Sequence, residues 1–137
     1  MDQKERAFYE YIAPKLRAHG HLQRIESGQT SPGIPDMCLC INGIEAWIEL
    51  KVASPHVLLR KEQYAWGVSA SAYGRKCYVL AWDPEVEHVL LWGFACFRVE
   101  PVGRGDKYVR IVTPPRFTAS RSVIAEFLIT NVFTPAT

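Results

Sequence analysis

Asp36 and Glu49 are the two carboxylates whose spacing suits a divalent cation, and the residues between them say how they meet. The apolar runs DMCLCI and IEAWIELK flank Asn42-Gly43, a pair that suits the positive φ angles of a type I′ hairpin turn. With Asn42 and Gly43 as the turn, Ile41 faces Ile44, and pairing outward from there sets Asp36 directly opposite Glu49. Opposed residues have Cβ atoms about 4.5 to 5.5 Å apart, and like charges so placed repel. Side chains alternate along a strand, so Met37, Leu39, Ile41, Ile44, Ala46, Ile48 and Leu50 form an apolar face. Asp36, Glu49 and Lys51 project from the other face, which also carries Cys38, Cys40 and Trp47 and is therefore mostly covered. Buried charges need partners. Mg²⁺ would relieve the repulsion, with the backbone carbonyl of Leu50 as a third oxygen. Lys51 is placed to orient or deprotonate a water, or to neutralise charge developing on a phosphate. The plainer alternative is an ordinary Glu49 to Lys51 ion pair, with Asp36 capping a loop.

The elements that must hold these residues can be read from the flanking chain. Asp2 followed by Glu5 has the form of a capping box, and Phe8, Ile12 and Leu16 recur at helical spacing, so a helix begins here with Pro14 as a site of kinking. HLQRIE at 21–26 predicts a short strand, and SGQTSPGIP at 27–35 a loop. After the hairpin, residues 57–73 predict a helix that ends at Gly74. The strand CYVLAW follows, then a turn at Asp83-Pro84, the strand EHVLLWGF, the strand KYVRIV, a break at Pro114-Pro115 and a last helix near 120–130. That order predicts an α/β domain with a mixed sheet.

Composition limits the rest. With 137 residues, 48% hydrophobic and 22% charged, the chain is expected to be a single domain, 1–137, that folds without metal or disulfide. A net charge of +2 means that any nucleic-acid-binding patch is local. Cys38, Cys40, Cys77 and Cys96 form no CxxC pair, and no apolar run reaches the roughly 18 residues of a membrane span. A reduced, cytoplasmic protein is expected.

Gly33-Ile34-Pro35-Asp36, then Trp47-Ile48-Glu49-Leu50-Lys51, then Gln63, with Gly74 before CYVLAW, together resemble the PD-(D/E)XK nuclease signature, in particular its VRR-NUC branch. The resemblance covers roughly residues 1–92 and leaves 93–137 as an extension for dimerisation or DNA contact. It implies a restriction-endonuclease-like mixed sheet flanked by helices, an α-β-β-β-α-β core with a C-terminal strand and helix added. It implies a Mg²⁺-dependent endodeoxyribonuclease, with Mn²⁺ able to substitute and no small-molecule cofactor. Asp36 and Glu49 would be metal ligands, Lys51 the catalytic lysine and Gln63 an active-site support. Stand-alone domains of this kind are typical of bacteriophages and mobile elements, and several resolve branched or four-way DNA as dimers. A nicking, repair or restriction-like nuclease is the nearest alternative, and a non-catalytic DNA-binding or protein-interaction module is the alternative of another class.

Members of this superfamily often add an acidic residue from the first helix. Glu5 lies within the inward stripe of Phe8 and Ile12 and Glu10 points away from it, so Glu5 is the candidate, with a purely capping role as its alternative. Glu26 is a further option. His19, His21, Cys38 and Cys40 match no common zinc spacing, and His56 is read as a loop residue. Arg24, Ser31, Arg60, Lys61, Arg75 and Lys76 are the candidate DNA contacts, and PVGRGDKYVRIVTPPR a possible second DNA-contacting ribbon. Arg60 stands where such proteins usually carry a small hydroxyl residue before the helical glutamine. GFACFRV and VIAEFLITNVF hold more large apolar residues than one sheet edge and one helix require, which suggests a homodimer.

Overall fold

A computed structural model describes residues 1–25, 32–105 and 107–135. Helix α1, Gln3–Arg17, opens with the expected capping box: the Glu5 N–H donates to Asp2 Oδ1 at 2.8 Å and the Asp2 N–H to Glu5 Oε1 at 3.1 Å. Pro14 cannot donate to the Glu10 carbonyl, yet the helix runs through it unbroken. Phe8, Ile12 and Leu16 are fully buried on its inner stripe, and their burial, roughly 1.5 to 3 kcal/mol each, outweighs one missing hydrogen bond.

Strand β1 is His21–Arg24, β2 Met37–Ile41 and β3 Ile44–Val52. Asn42 and Gly43 both take positive φ, 55° and 75°, and the ladder runs from Ile41 opposite Ile44 to Met37 opposite Ile48. The expected register is therefore present, and strand pairing stops one residue short of Asp36. The predicted helix over 57–73 needs correction at its start. Leu58–Arg60 is a strand, β4, and helix α2 is Lys61–Ala72, with Gly74 at φ 95° just past its end. Val57 and Leu59 are buried while Leu58 and Arg60 are exposed, an alternation of period two that belongs to a strand.

Beyond α2 come β5, Lys76–Asp83, β6, His88–Gly93, β7, Val99–Val102, β8, Tyr108–Ile111, and β9, Phe117–Ser120. The last helix, α3, is Ile124–Asn131; the three residues before it form a 3-10 turn rather than the expected α-helix. β7 and β9 were not expected from the sequence.

The main sheet has the order β1-β2-β3-β5-β6-β9, with only β3 and β5 parallel, and a smaller antiparallel sheet has the order β4-β8-β7. Crossing from β3 to parallel β5 requires a long connection, which β4 and α2 supply. Ile48, Leu50 and Leu80 face a core shared with α1 and α3. Val79 and Ala81 face a second core shared with Leu59, Phe94, Val109 and Ile111. α1 packs on α3, and the Asn42 side chain donates to the Phe133 carbonyl at 3.0 Å.

The apolar residues after position 92 are largely used within one chain. Phe94, Phe97, Ile124, Phe127, Leu128 and Phe133 are all buried, while Tyr108, Val112 and Val123 are exposed. All four cysteines are free thiols, and among the described residues no helix is long and apolar enough to cross a membrane.

Candidate active site

Four elements bring Glu5, Asp36, Glu49, Lys51 and Gln63 together. Glu49 and Lys51 share one face of β3, Asp36 lies just before β2, Glu5 is on the first turn of α1, and Gln63 is on the first turn of α2. Asp36 does not simply face Glu49 across the hairpin. Its Oδ2 accepts the Leu50 N–H at 2.9 Å, which satisfies a strand donor where β2 has ended.

By the hairpin register the residue opposite Leu50 is Pro35. Both amide groups of a residue in this position of an antiparallel ladder point to the same neighbour. Asp36 takes the N–H, and Pro35 has no N–H to offer the carbonyl. The Leu50 carbonyl is thus left beside the carboxylates with no ladder donor from that strand.

Glu49 is only 2% exposed. Its Oε2 accepts from Gln63 Nε2 at 2.8 Å and lies 3.6 Å from Lys51 Nζ, while Oε1 is buried with no hydrogen-bond partner. Burial is the main cause that lifts its pKa from 4.5 to about 8, with the Asp36 and Glu5 carboxylates adding to it and Lys51 opposing it. Burial likewise raises Asp36 and Glu5, against the lowering effect of the Leu50 N–H on Asp36 and of Lys51 on both. An orphaned buried oxygen on a carboxyl whose ionisation is opposed by its neighbours fits a site built around a cation.

Among the described residues no group of three or more His, Cys, Asp or Glu side chains is arranged to hold a metal. Asp36, Glu49 and the Leu50 carbonyl would offer a cation hard oxygens, the donor type that suits Mg²⁺. Glu5 does two jobs that the sequence left as alternatives: Oε1 closes the capping box and Oε2 lies 3.9 Å from Lys51 Nζ. Glu10 is exposed on α1, and Glu26 lies outside the described residues. His19, His21, Cys38 and Cys40 form no such cluster, and Cys38 Sγ instead donates to Glu45 Oε1 at 3.0 Å.

The cations divide into two groups. Arg60 lines a cleft of about 330 Å³ together with Glu5, Lys51, Ser54, His56 and Tyr108. Lys61, exposed beside it, donates its backbone N–H to the Lys107 carbonyl at 3.0 Å. Arg75 and Lys76 are not brought to the carboxylates. Lys76 is level with Ala46 and Val79 with Glu49, so both cations sit roughly 10 Å away along the strands. Arg75 lies 5.2 Å from the Trp47 ring centroid, and Arg24 is at the end of β1 with its guanidinium 5.4 Å from the Tyr9 centroid. Ser31 lies outside the described residues. The Lys107–Tyr108 segment, expected only as part of a DNA-contacting ribbon, reaches the cleft; the signal for that placement was the two-residue alternation of Val57 to Arg60, which marks the strand that β8 joins.

No protein-family model and no curated protein matches this chain. Among solved structures it is similar to Hjc, a Holliday junction resolvase from the archaeal hyperthermophile Archaeoglobus fulgidus, with a TM-score of 0.61 at 15% identity, over 90% of this chain and 97% of that one. At this identity the likeness is one of fold: a mixed sheet flanked by helices, of the restriction-endonuclease-like kind.

Proposed function

We propose that this chain is a Mg²⁺-dependent endodeoxyribonuclease of VRR-NUC-like character, acting as one unit over 1–137 on branched or four-way-junction DNA. The observation that carries this reading is buried Glu49, with an orphaned Oε1, beside Asp36, whose Oδ2 is held by the Leu50 N–H. Asp36, Glu49 and the Leu50 carbonyl would hold the cation, which when bound supplies Lewis-acid activation of the water and the phosphodiester. Lys51 places its ammonium where charge grows on the phosphate, and Glu5 steadies that ammonium from the other side. Gln63 fixes the Glu49 carboxyl in one orientation.

The fold shared with a Holliday junction resolvase supports a branched substrate over a linear one. A four-way junction has two-fold symmetry, so paired incision calls for two copies of this chain. This homodimer rests on substrate symmetry, since the apolar residues of 93–133 are mostly buried within one chain.

One gel tests the reading: supercoiled, linear, single-stranded and four-way substrates, with and without Mg²⁺, for wild type and Asp36→Asn. Mg²⁺-dependent cutting of the junction, absent in Asp36→Asn, is expected. Equal cutting of every substrate would replace the branched preference with a general nuclease. Binding without cutting would leave a DNA-binding module.

A further inference from the structure

Among the described residues, Tyr108 is the one aromatic ring that reaches the edge of the carboxylate cleft from the part of the chain that the nuclease motif does not cover. It opens β8 and pairs with Arg60 on one side and Val102 on the other. Its side chain is 45% exposed, and among the described residues it packs against no other ring and its hydroxyl has no hydrogen-bond partner. Two clefts meet at this residue. One, of about 330 Å³, leads to Lys51 and Glu5; the other, of about 260 Å³, is lined by Pro32, Arg60, Glu62, Lys107 and Tyr108.

Cations flank the ring: Lys51 and Arg60 line the first cleft and Arg60 and Lys107 the second. Of the acidic residues on the same walls Glu5 pairs with Lys51 at 3.9 Å, and Asp2 and Glu62 stand beside Arg60 and Lys107. A ring exposed between cations is the arrangement by which proteins hold single-stranded nucleic acid, since a base stacks on the ring while the phosphates meet the cations. A paired base in a duplex has both faces covered by its neighbours and cannot stack this way.

The position is also fixed relative to the chemistry. Arg60, opposite Tyr108, donates its N–H at 2.9 Å to the Gln63 carbonyl oxygen whose amide nitrogen holds Glu49. One helix turn thus sets the distance between ring and carboxylate.

We propose that Tyr108 is the floor of a subsite for an unpaired nucleobase next to the cleaved phosphate, with Arg60 and Lys107 on the flanking phosphates. The preferred substrate is then DNA that presents at least one unpaired nucleotide at its branch. This rests on the nuclease reading and deepens it.

The test uses the inactive Asp36→Asn protein, with Tyr108 intact, Tyr108→Phe or Tyr108→Ala. The probes are a three-way junction with 2-aminopurine as the unpaired branch nucleotide and a fully paired duplex containing the same base. With Tyr108 or Phe, junction binding is expected to quench the fluorescence. With Ala the quench is lost and junction affinity falls roughly tenfold, while duplex affinity is unchanged. A quench that survives in Tyr108→Ala, or an equal loss on duplex, overturns the subsite alone. Failure of the Tyr108-intact protein to bind either DNA overturns the nuclease reading and the subsite together. Because the ring is exposed, melting temperatures of the three proteins should agree, which separates a binding loss from misfolding.

Discussion

Gln63 Nε2 donates to Glu49 Oε2 at 2.8 Å, and the opposite end of the same amide accepts the Arg60 N–H at 2.9 Å. An amide bound at both ends cannot flip, so its donor end always faces the carboxyl. The start of α2 and the buried carboxyl are in this way a single hydrogen-bonded unit.

Gln63→Leu breaks both bonds at similar volume. It is expected to destabilise the protein by about 1 to 3 kcal/mol and to lower the cleavage rate with little change in DNA affinity. Urea denaturation and single-turnover kinetics check this. Unchanged stability would show that Glu49 does not depend on Gln63.

Metal-free stability should fall as pH rises. Glu49 has an ordinary pKa of 4.5 and about 8 in the fold, so between those values the folded chain keeps a proton that the unfolded chain has lost. Below about 4.5 both states are protonated and the penalty is absent; above about 8 it is complete. Asp36 and Glu5 are raised too and act with the same sign. Melting temperature in EDTA is therefore expected to drop from pH 5 to pH 8.5, and Glu49→Gln to flatten that slope. An equal slope in the variant would remove Glu49 as its source.

Divalent cations should reverse that loss. Mg²⁺ or Mn²⁺ is expected to raise the melting temperature at pH 8 in proportion to the logarithm of concentration, and Ca²⁺ to do so while supporting little cleavage. Asp36→Asn and Glu49→Gln lose the shift; Lys51→Ala keeps it, since the ammonium is not a ligand, yet cuts slowly. A shift of equal size in Asp36→Asn would rule out the carboxylate pair as the site.

Gly33 has φ +91°, and a Cβ there would run into the Glu62 backbone carbonyl at the start of α2. Neither strand loop nor helix backbone gives way cheaply. Gly33→Ala is expected to cost roughly 1 to 3 kcal/mol and to weaken Mg²⁺ binding, because the loop carrying Asp36 must part from the helix carrying Gln63. Calorimetry of Mg²⁺ binding measures this. Wild-type affinity in a destabilised protein would show that the packing serves the fold alone.

What the sequence made legible was what it decides locally. The Asn42-Gly43 turn settles the hairpin register, and with it the placement of Glu49 and Lys51 on one face, before any distant contact forms. The capping box at Asp2 and the end of α2 at Gly74 are equally local. β4, β7 and β9 have three or four residues each; β4 and β9 exist through pairing with the distant β8 and β6, and β7 is a short edge strand on the neighbouring β8. β7 even contains Pro101, tolerated because the strand lies on a sheet edge. The ribbon holding Tyr108 was legible as a strand and a candidate DNA contact, but its place beside Arg60 was not, since only the pairing of β8 with β4 sets it there.

The packing of α1 on α3 has a consequence for the birth of the protein. Glu5 is held at Lys51 by a helix whose inner stripe, Phe8, Ile12 and Leu16, is buried with Ile124, Leu128 and Phe133. The same stripe packs on β1 and β3 as well as on α3, so the seat of Glu5 is closed by segments more than a hundred residues apart in the chain, and a helix made early is completed only when α3 has been made.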